Sequence, residues 1–157
     1  MADSPLDIAV IAWREEGSWN LLRLSGDVTS DIGLALDELR NRQGDGGALV
    51  ALTIDDEFFI MIRQTGERMQ MAISNVLVAL DYEIAAEVLE LLDIDLPHPD
   101  DAREPAGDLN LLTDFGIDAL DLQFICDDED LFPDEQLEEI ARRIGFLDQF
   151  LEIVSDS

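Results

Sequence analysis

Apolar residues follow two rhythms along this chain, and the change between them separates a sheet-forming half from a helical half. Leu6–Trp13 contains five consecutive apolar residues, Ile8 to Ala12, a strand signal. Arg14-Glu15-Glu16-Gly17 supplies a turn, Trp19–Leu24 returns as the hairpin partner, and Ser25-Gly26-Asp27 breaks the pattern. From Ser30 to Arg42 the residues Ile32, Ala35, Leu36 and Leu39 recur at i, i+3, i+4 and i+7, which is one face of a helix. Gln43–Gly47 reads as a glycine-rich loop. Ala48–Ile54 and Phe58–Arg63 follow as strands joined by the polar turn Asp55-Asp56-Glu57, and Arg68–Ala72 makes one more. The predicted order is β-β-α-β-β-β, with links short enough to favour antiparallel pairing.

The middle strands do not alternate. Ala48–Ile54 and Phe58–Ile62 are apolar on both sides, whereas a sheet with one wet face alternates. Both faces are therefore expected to be covered, one by the helix at Ser30–Arg42 and the other by the C-terminal helices or a second subunit. Beyond residue 73 the period becomes helical. Val76–Leu92 carries Ile84, Ala85, Val88, Leu89 and Leu92 on one face. Asp95–Ala106 holds three prolines and reads as a linker. Asp108 is expected to cap a short helix ending at Gly116, and Asp118 another that runs to Cys126. Pro133 opens a helix with Leu137, Ile140, Ala141 and Ile144 in register, stopped by Gly145. Leu147, Phe150, Leu151 and Val154 mark a last one. The expected class is α+β: an antiparallel sheet over 1–73, a helix over 74–94, a linker over 95–106 and a helical region over 107–157. The C-terminal segment would hold four to five helices, and all parts would form one compact unit.

Charge changes the picture from fold to partners. Lysine is absent; nine arginines face 37 acids, for a net charge of −28 over 157 residues. Between Asp81 and Glu139 twenty-one acids stand against one base, Arg103. Such a polyanion repels nucleic acid and anionic membranes and attracts basic surfaces. With 47% apolar residues it is no disordered acidic tail. The single cysteine, Cys126, excludes an internal disulfide and a cysteine-based zinc cluster. The start of the chain does not read as a secretion signal, and its apolar runs are far short of a membrane span, so the expected location is cytoplasmic. Arginine without lysine fits a GC-rich genome, and the acidity also suits a halophile.

No residue pattern carries a catalytic signature. His98, the only histidine, sits between Pro97 and Pro99 in the linker and reads as an exposed loop residue. Cys126 ends an apolar helix face and is followed by four acids, which disfavour a thiolate. The run Asp127–Asp130 lacks the glycine at the sixth position of a calcium loop, where Phe132 stands; at most it would hold a divalent ion weakly. Gly44-Asp45-Gly46-Gly47 lacks the Lys-Ser/Thr of a phosphate loop and reads as a turn. Trp13 and Trp19 are expected to pack together or on the first helix. No catalytic residue, cofactor site or metal site is assigned.

One segment resembles a known family. Gly107-Asp108, Leu111-Leu112, Asp114 and Gly116-Ile117 make up a G-D-x-x-L-L-x-D-x-G-hydrophobic signature. It continues through Leu122, Cys126, Asp128-Glu129-Asp130, Pro133 and Ile140–Phe146. This is similar to the actinobacterial family of tRNA adenosine deaminase-associated proteins, and the opening hairpin with Trp19 fits its pattern. The resemblance implies an associate of the deaminase and supplies no catalytic residues to carry over; no enzyme activity and no cofactor are expected. The chain itself lacks the His-x-Glu and Pro-Cys-x-x-Cys of a zinc deaminase. With the charge, it implies an acidic regulatory or docking partner of a basic protein, foremost a tRNA adenosine deaminase. The expected contact is Asp127, Asp128, Glu129, Asp130, Leu131 and Phe132, supported by Asp134 and Glu135. Alternatives are a nucleic-acid mimic that inhibits a basic protein, an enzyme working through an unrecognised carboxylate pair, or a homodimer whose acidity serves solubility. Direct binding to nucleic acid or to a membrane is not expected.

Overall fold

The computed structural model describes residues 7–42 and 47–155. Its centre is a six-stranded antiparallel sheet in the order β2-β1-β3-β4-β5-β6. The strands are β1 (Ala9–Glu15), β2 (Ser18–Arg23), β3 (Ala48–Ile54), β4 (Phe58–Thr65), β5 (Arg68–Ile73) and β6 (Ala106–Gly107). The helices are α1 (Ile32–Asn41), α2 (Glu83–Leu91), α3 (Ala119–Asp127), α4 (Pro133–Ile144) and α5 (Leu147–Ser155). The α+β class and the antiparallel order agree with the sequence pattern. The Leu6 end of the first expected strand and the Gln43–Gly46 part of the glycine loop lie outside the described residues.

The sheet is covered on both faces, as its non-alternating strands require. Because successive side chains point to opposite sides, each central strand feeds two cores. Ile11, Val50, Leu52, Ile60, Ile62 and Ile73 point toward α1 and α2 and meet Ala35, Leu39, Ala85 and Val88. Val10, Leu49, Ala51, Phe59 and Met61 point the other way and meet Leu122, Leu137, Ile140 and Phe150 of α3, α4 and α5. The C-terminal helices thus supply the second cover within one chain.

The structure corrects four expectations. The helix over Val76–Leu92 is broken: a 3-10 turn at Val76–Leu80, capped by Asn75, precedes α2, with Asp81 and Tyr82 between them. The linker ends in a sixth strand that its prolines concealed. Ala106 and Gly107 pair with Ile73 and Ala72, the backbone amide of Asp108 donates to the Met71 carbonyl (2.7 Å), and the Met71 amide donates to the Asp108 carboxylate (3.0 Å). Asp108 therefore closes a sheet edge instead of capping a helix; turns and a 3-10 stretch at Thr113–Phe115 follow it. Gly107 has φ +101°, and a Cβ there would collide with the Met71 carbonyl oxygen, so this pairing needs glycine. The two tryptophans do not pack together, and of the pair only Trp13 packs on the first-helix side. Trp13 belongs to the α1 side, where the Arg42 guanidinium lies 5.1 Å from its ring; Trp19 faces the other way, edge-on to Phe115 and Phe146 at 5.1 and 5.0 Å.

Candidate partner-binding surface

The acidic loop expected to contact a partner joins α3 to α4, and local chemistry fixes both ends. Asp118 caps α3 by accepting from the Asp121 amide at 2.8 Å. After α3 the Asp128 carboxylate accepts from the Asp130 amide at 3.0 Å, and the Leu131 amide donates to the Asp128 carbonyl. Pro133 takes the first position of α4, where its missing N–H costs nothing. Glu135 folds back so that its carboxylate accepts from the Phe132 amide at 2.9 Å. Behind the loop the Gln136 amide, fully buried, donates to the carbonyls of Ile125 and Cys126 at 2.8 and 3.2 Å. That side chain satisfies carbonyls at the end of α3 and ties the helices together. A glutamine in the run Pro-Asp-Glu-Gln-Leu gave no sign of this role.

The structure brings together most of what the sequence singled out. Asp127, Asp128, Glu129 and Asp130 are exposed, as are Asp134 and Glu135; Leu131 is half-buried and Phe132 is 59% exposed. Glu135 and Asp128 each hold a backbone amide, so their carboxylates shape the loop as well as charge it. Acids from elsewhere converge on the same end of α4. Burial raises the Asp56 carboxyl above the usual range, and Asp134, Glu57 and Glu135 push it further. Burial likewise raises Glu138, with Asp134 and Glu135 adding to it and Arg142 opposing. The β3–β4 turn thus joins the α4 start in one negative surface. Sequence spacing gave no hint of this, because residues 56 and 134 meet only through the fold.

Outside the expected contact, α3 shows a second apolar side. Leu122, Ile125 and Cys126 face the sheet, while Leu120 and Phe124 are 58% and 65% exposed. Burial, reinforced by Asp127, pushes the Cys126 thiol up to about 12, so it is a core residue with no thiolate at neutral pH. His98 is exposed, as expected of a loop residue. Among the described residues, no group of three His, Cys, Asp or Glu side chains could hold a metal ion.

The signature segment serves a different centre. β4 points Arg63 toward the C-terminal helices, where it is 4% exposed. Its guanidinium donates to the Leu111 carbonyl at 2.8 Å, grips both oxygens of Asp114 (Nη2–Oδ2 2.8 Å), and lies 4.2 Å from the Phe115 ring centroid. Hydrogen bonding to Arg63 holds the Asp114 carboxyl below its usual range. Gly116 follows with φ +97°, ending the turn. Asp108 and Gly107 close the β5 edge, while Leu111 and Asp114 hold the arginine. The signature is thus an assembly device that fixes the helical half onto the sheet. Beside it lies an open polar cleft of about 470 Å³ that includes Arg68, Thr65 and Thr113. Arg63 and Asp114 are engaged with one another through two nitrogens and two oxygens, which makes the pair a structural clamp.

Residues 7–147, nearly the whole described chain and all of the signature, match the family described as Rv3753c-like tRNA adenosine deaminase-associated protein. The chain belongs to this family. It is also 38% identical over 157 residues to Protein Rv3753c of Mycobacterium tuberculosis, an alignment covering 98% of this chain and 90% of that one. No solved structure matches it. The family is named for association with a tRNA adenosine deaminase, not for deaminase activity. Among the described residues, no helix of this tRNA adenosine deaminase-associated protein is long and apolar enough to cross a membrane.

Proposed function

We propose that this protein is a non-catalytic acidic partner of a basic protein, a tRNA adenosine deaminase, and docks through the loop between α3 and α4. Membership of a family named for association with that enzyme carries the reading; the electrostatics say what association requires. A tRNA-binding enzyme presents basic side chains to phosphates. A chain at −28 is drawn to such a surface, and its acids are densest where Phe132 stands exposed. Charges steer the encounter and an apolar side chain slows release. Occupying that surface would let the protein regulate the enzyme or hold it until tRNA displaces it.

Binding kinetics against the purified deaminase of the same organism test this. Changing Asp127, Asp128 and Asp130 together to Asn should slow association and flatten its salt dependence. The asparagine at 128 can still accept from the Asp130 amide, so the loop should keep its shape. Phe132→Ala should speed dissociation. No complex at tens of micromolar in low salt would sink the functional reading. A complex with wild-type kinetics in both variants would leave the partner and remove the proposed contact.

A further inference from the structure

We infer that the outer face of α3, built on Leu120 and Phe124, is a docking stripe for an amphipathic basic helix of the protein's partner. The inference deepens the functional reading above and rests on it, but its apolar anchors lie outside the acidic loop. At 100° per residue, Leu120 and Phe124 lie one turn apart on one side of α3, opposite Leu122, Ile125 and Cys126. The helix buries its inner side and caps its start with Asp118, so these two side chains are not needed to hold it in place. Yet they are among the most exposed large apolar residues among those described, at 58% and 65%. An exposed phenylalanine next to an exposed leucine on a rigid helix marks a contact surface.

Charge decides what covers it. Asp127 falls on the same side, one turn beyond Phe124, and Asp121 borders the stripe; Asp128, Glu129 and Asp130 continue the acidity past the helix end. A second copy of this chain would bring these acids against their own counterparts, and burying like charges face to face is costly. A helix with arginine or lysine beside apolar residues at i and i+4 meets both needs. Its apolar pair would lie on Leu120 and Phe124, and its cations would reach Asp121 and Asp127.

The test measures affinity for the same purified deaminase, with Phe124→Ala, Leu120→Ala and a control, Leu91→Ala. Leu91 is 55% exposed on α2, on the other side of the sheet. Phe124→Ala should weaken binding about tenfold or more and Leu120→Ala several-fold, while Leu91→Ala binds as wild type. All three should melt within a few degrees of wild type, since none is a core residue. Hydrogen exchange on the deaminase should show protection of a basic amphipathic helix that is lost with Phe124→Ala. If wild type binds and the α3 variants bind equally well, the stripe is wrong and the functional reading stands. If wild type does not bind, both fall. If sedimentation in roughly 0.5 M salt shows a dimer that Phe124→Glu abolishes, the occupant is a second copy and the basic-helix assignment is overturned.

Discussion

Asp114→Ala should destabilise the protein although Asp114 is a surface residue. Its side chain is 61% exposed, but its partner Arg63 is only 5% exposed. Removing the carboxylate takes the Asp114 charge away from a buried guanidinium that also bonds the Leu111 carbonyl and lies against Phe115. Breaking a fully buried pair costs about 3–5 kcal/mol. Here water reaches the Asp114 side and can solvate part of the exposed charge, so the expected loss is about 1–3 kcal/mol. For a chain of this length that lowers Tm by roughly 3–10 °C. Asp114→Asn keeps an acceptor and should recover part of the loss. Arg63→Met removes the charge but leaves the buried Leu111 carbonyl without that donor, at about 1–3 kcal/mol. The double variant Arg63→Met/Asp114→Ala should be less destabilised than the two single losses combined, because Asp114 has no role once the guanidinium is gone. Urea and thermal unfolding of the four proteins complete the cycle. A loss below about 0.3 kcal/mol in Asp114→Ala, or strict additivity, would show that the pair does not clamp the helical half to the sheet.

Melting temperature should rise between low and roughly 0.5 M monovalent salt, because screening relieves the self-repulsion of a −28 chain; a flat or falling curve would show that the acids are already compensated locally. Leu52→Asp and Ile60→Asp, both fully buried on the α1–α2 side, should each cost several kcal/mol and lose cooperative unfolding by circular dichroism. Stability should also rise as pH falls through the raised folded values of Asp7, Asp56 and Glu138, down to the ordinary carboxylate range. Asp7, Asp56 and Glu138 have raised folded values, so the native state binds their protons first and gains stability until the unfolded carboxyls titrate near pH 4. Asp114 acts the other way: its lowered value contributes stability above about pH 4 that is lost as pH falls through its folded value. If Asp7→Asn, Asp56→Asn and Glu138→Gln leave the urea-derived pH profile of stability unchanged just above the ordinary carboxylate range, these groups do not carry the effect.

What could be read from the chain followed from period and capping. Ala48–Ile54 is found as expected, Asp118, Pro133 and Gly145 mark helix ends as expected, and the strands apolar on both sides required two covers. Local pattern failed where distant residues decide the outcome. Ala106-Gly107 has no strand character of its own; it pairs because β5 offers a free edge and glycine tolerates the close approach. Arg63 looked like the polar end of a strand, yet the carbonyl and carboxylate that bury it come from residues 111 and 114. Trp13 and Trp19 flank one turn in sequence, but the hairpin register sends them to opposite faces. In the candidate surface the acids of the loop were legible one by one. Their meeting with Asp56, and the outward turn of Phe124, depend on where α3 and α4 sit on the sheet.

The two-residue strand β6 also bears on what the β5 edge offers to another chain. The outer edge of an antiparallel sheet is a template on which another chain can grow. Here the Met71 amide, which would recruit such a strand, is occupied by a carboxylate, and the Met71 carbonyl by the Asp108 amide. The strand that provides them ends at once, in a glycine whose conformation extended chain cannot continue. Asp108 therefore places a negative charge where an incoming edge would register. Losing it would leave the Met71 amide open to a strand from another chain.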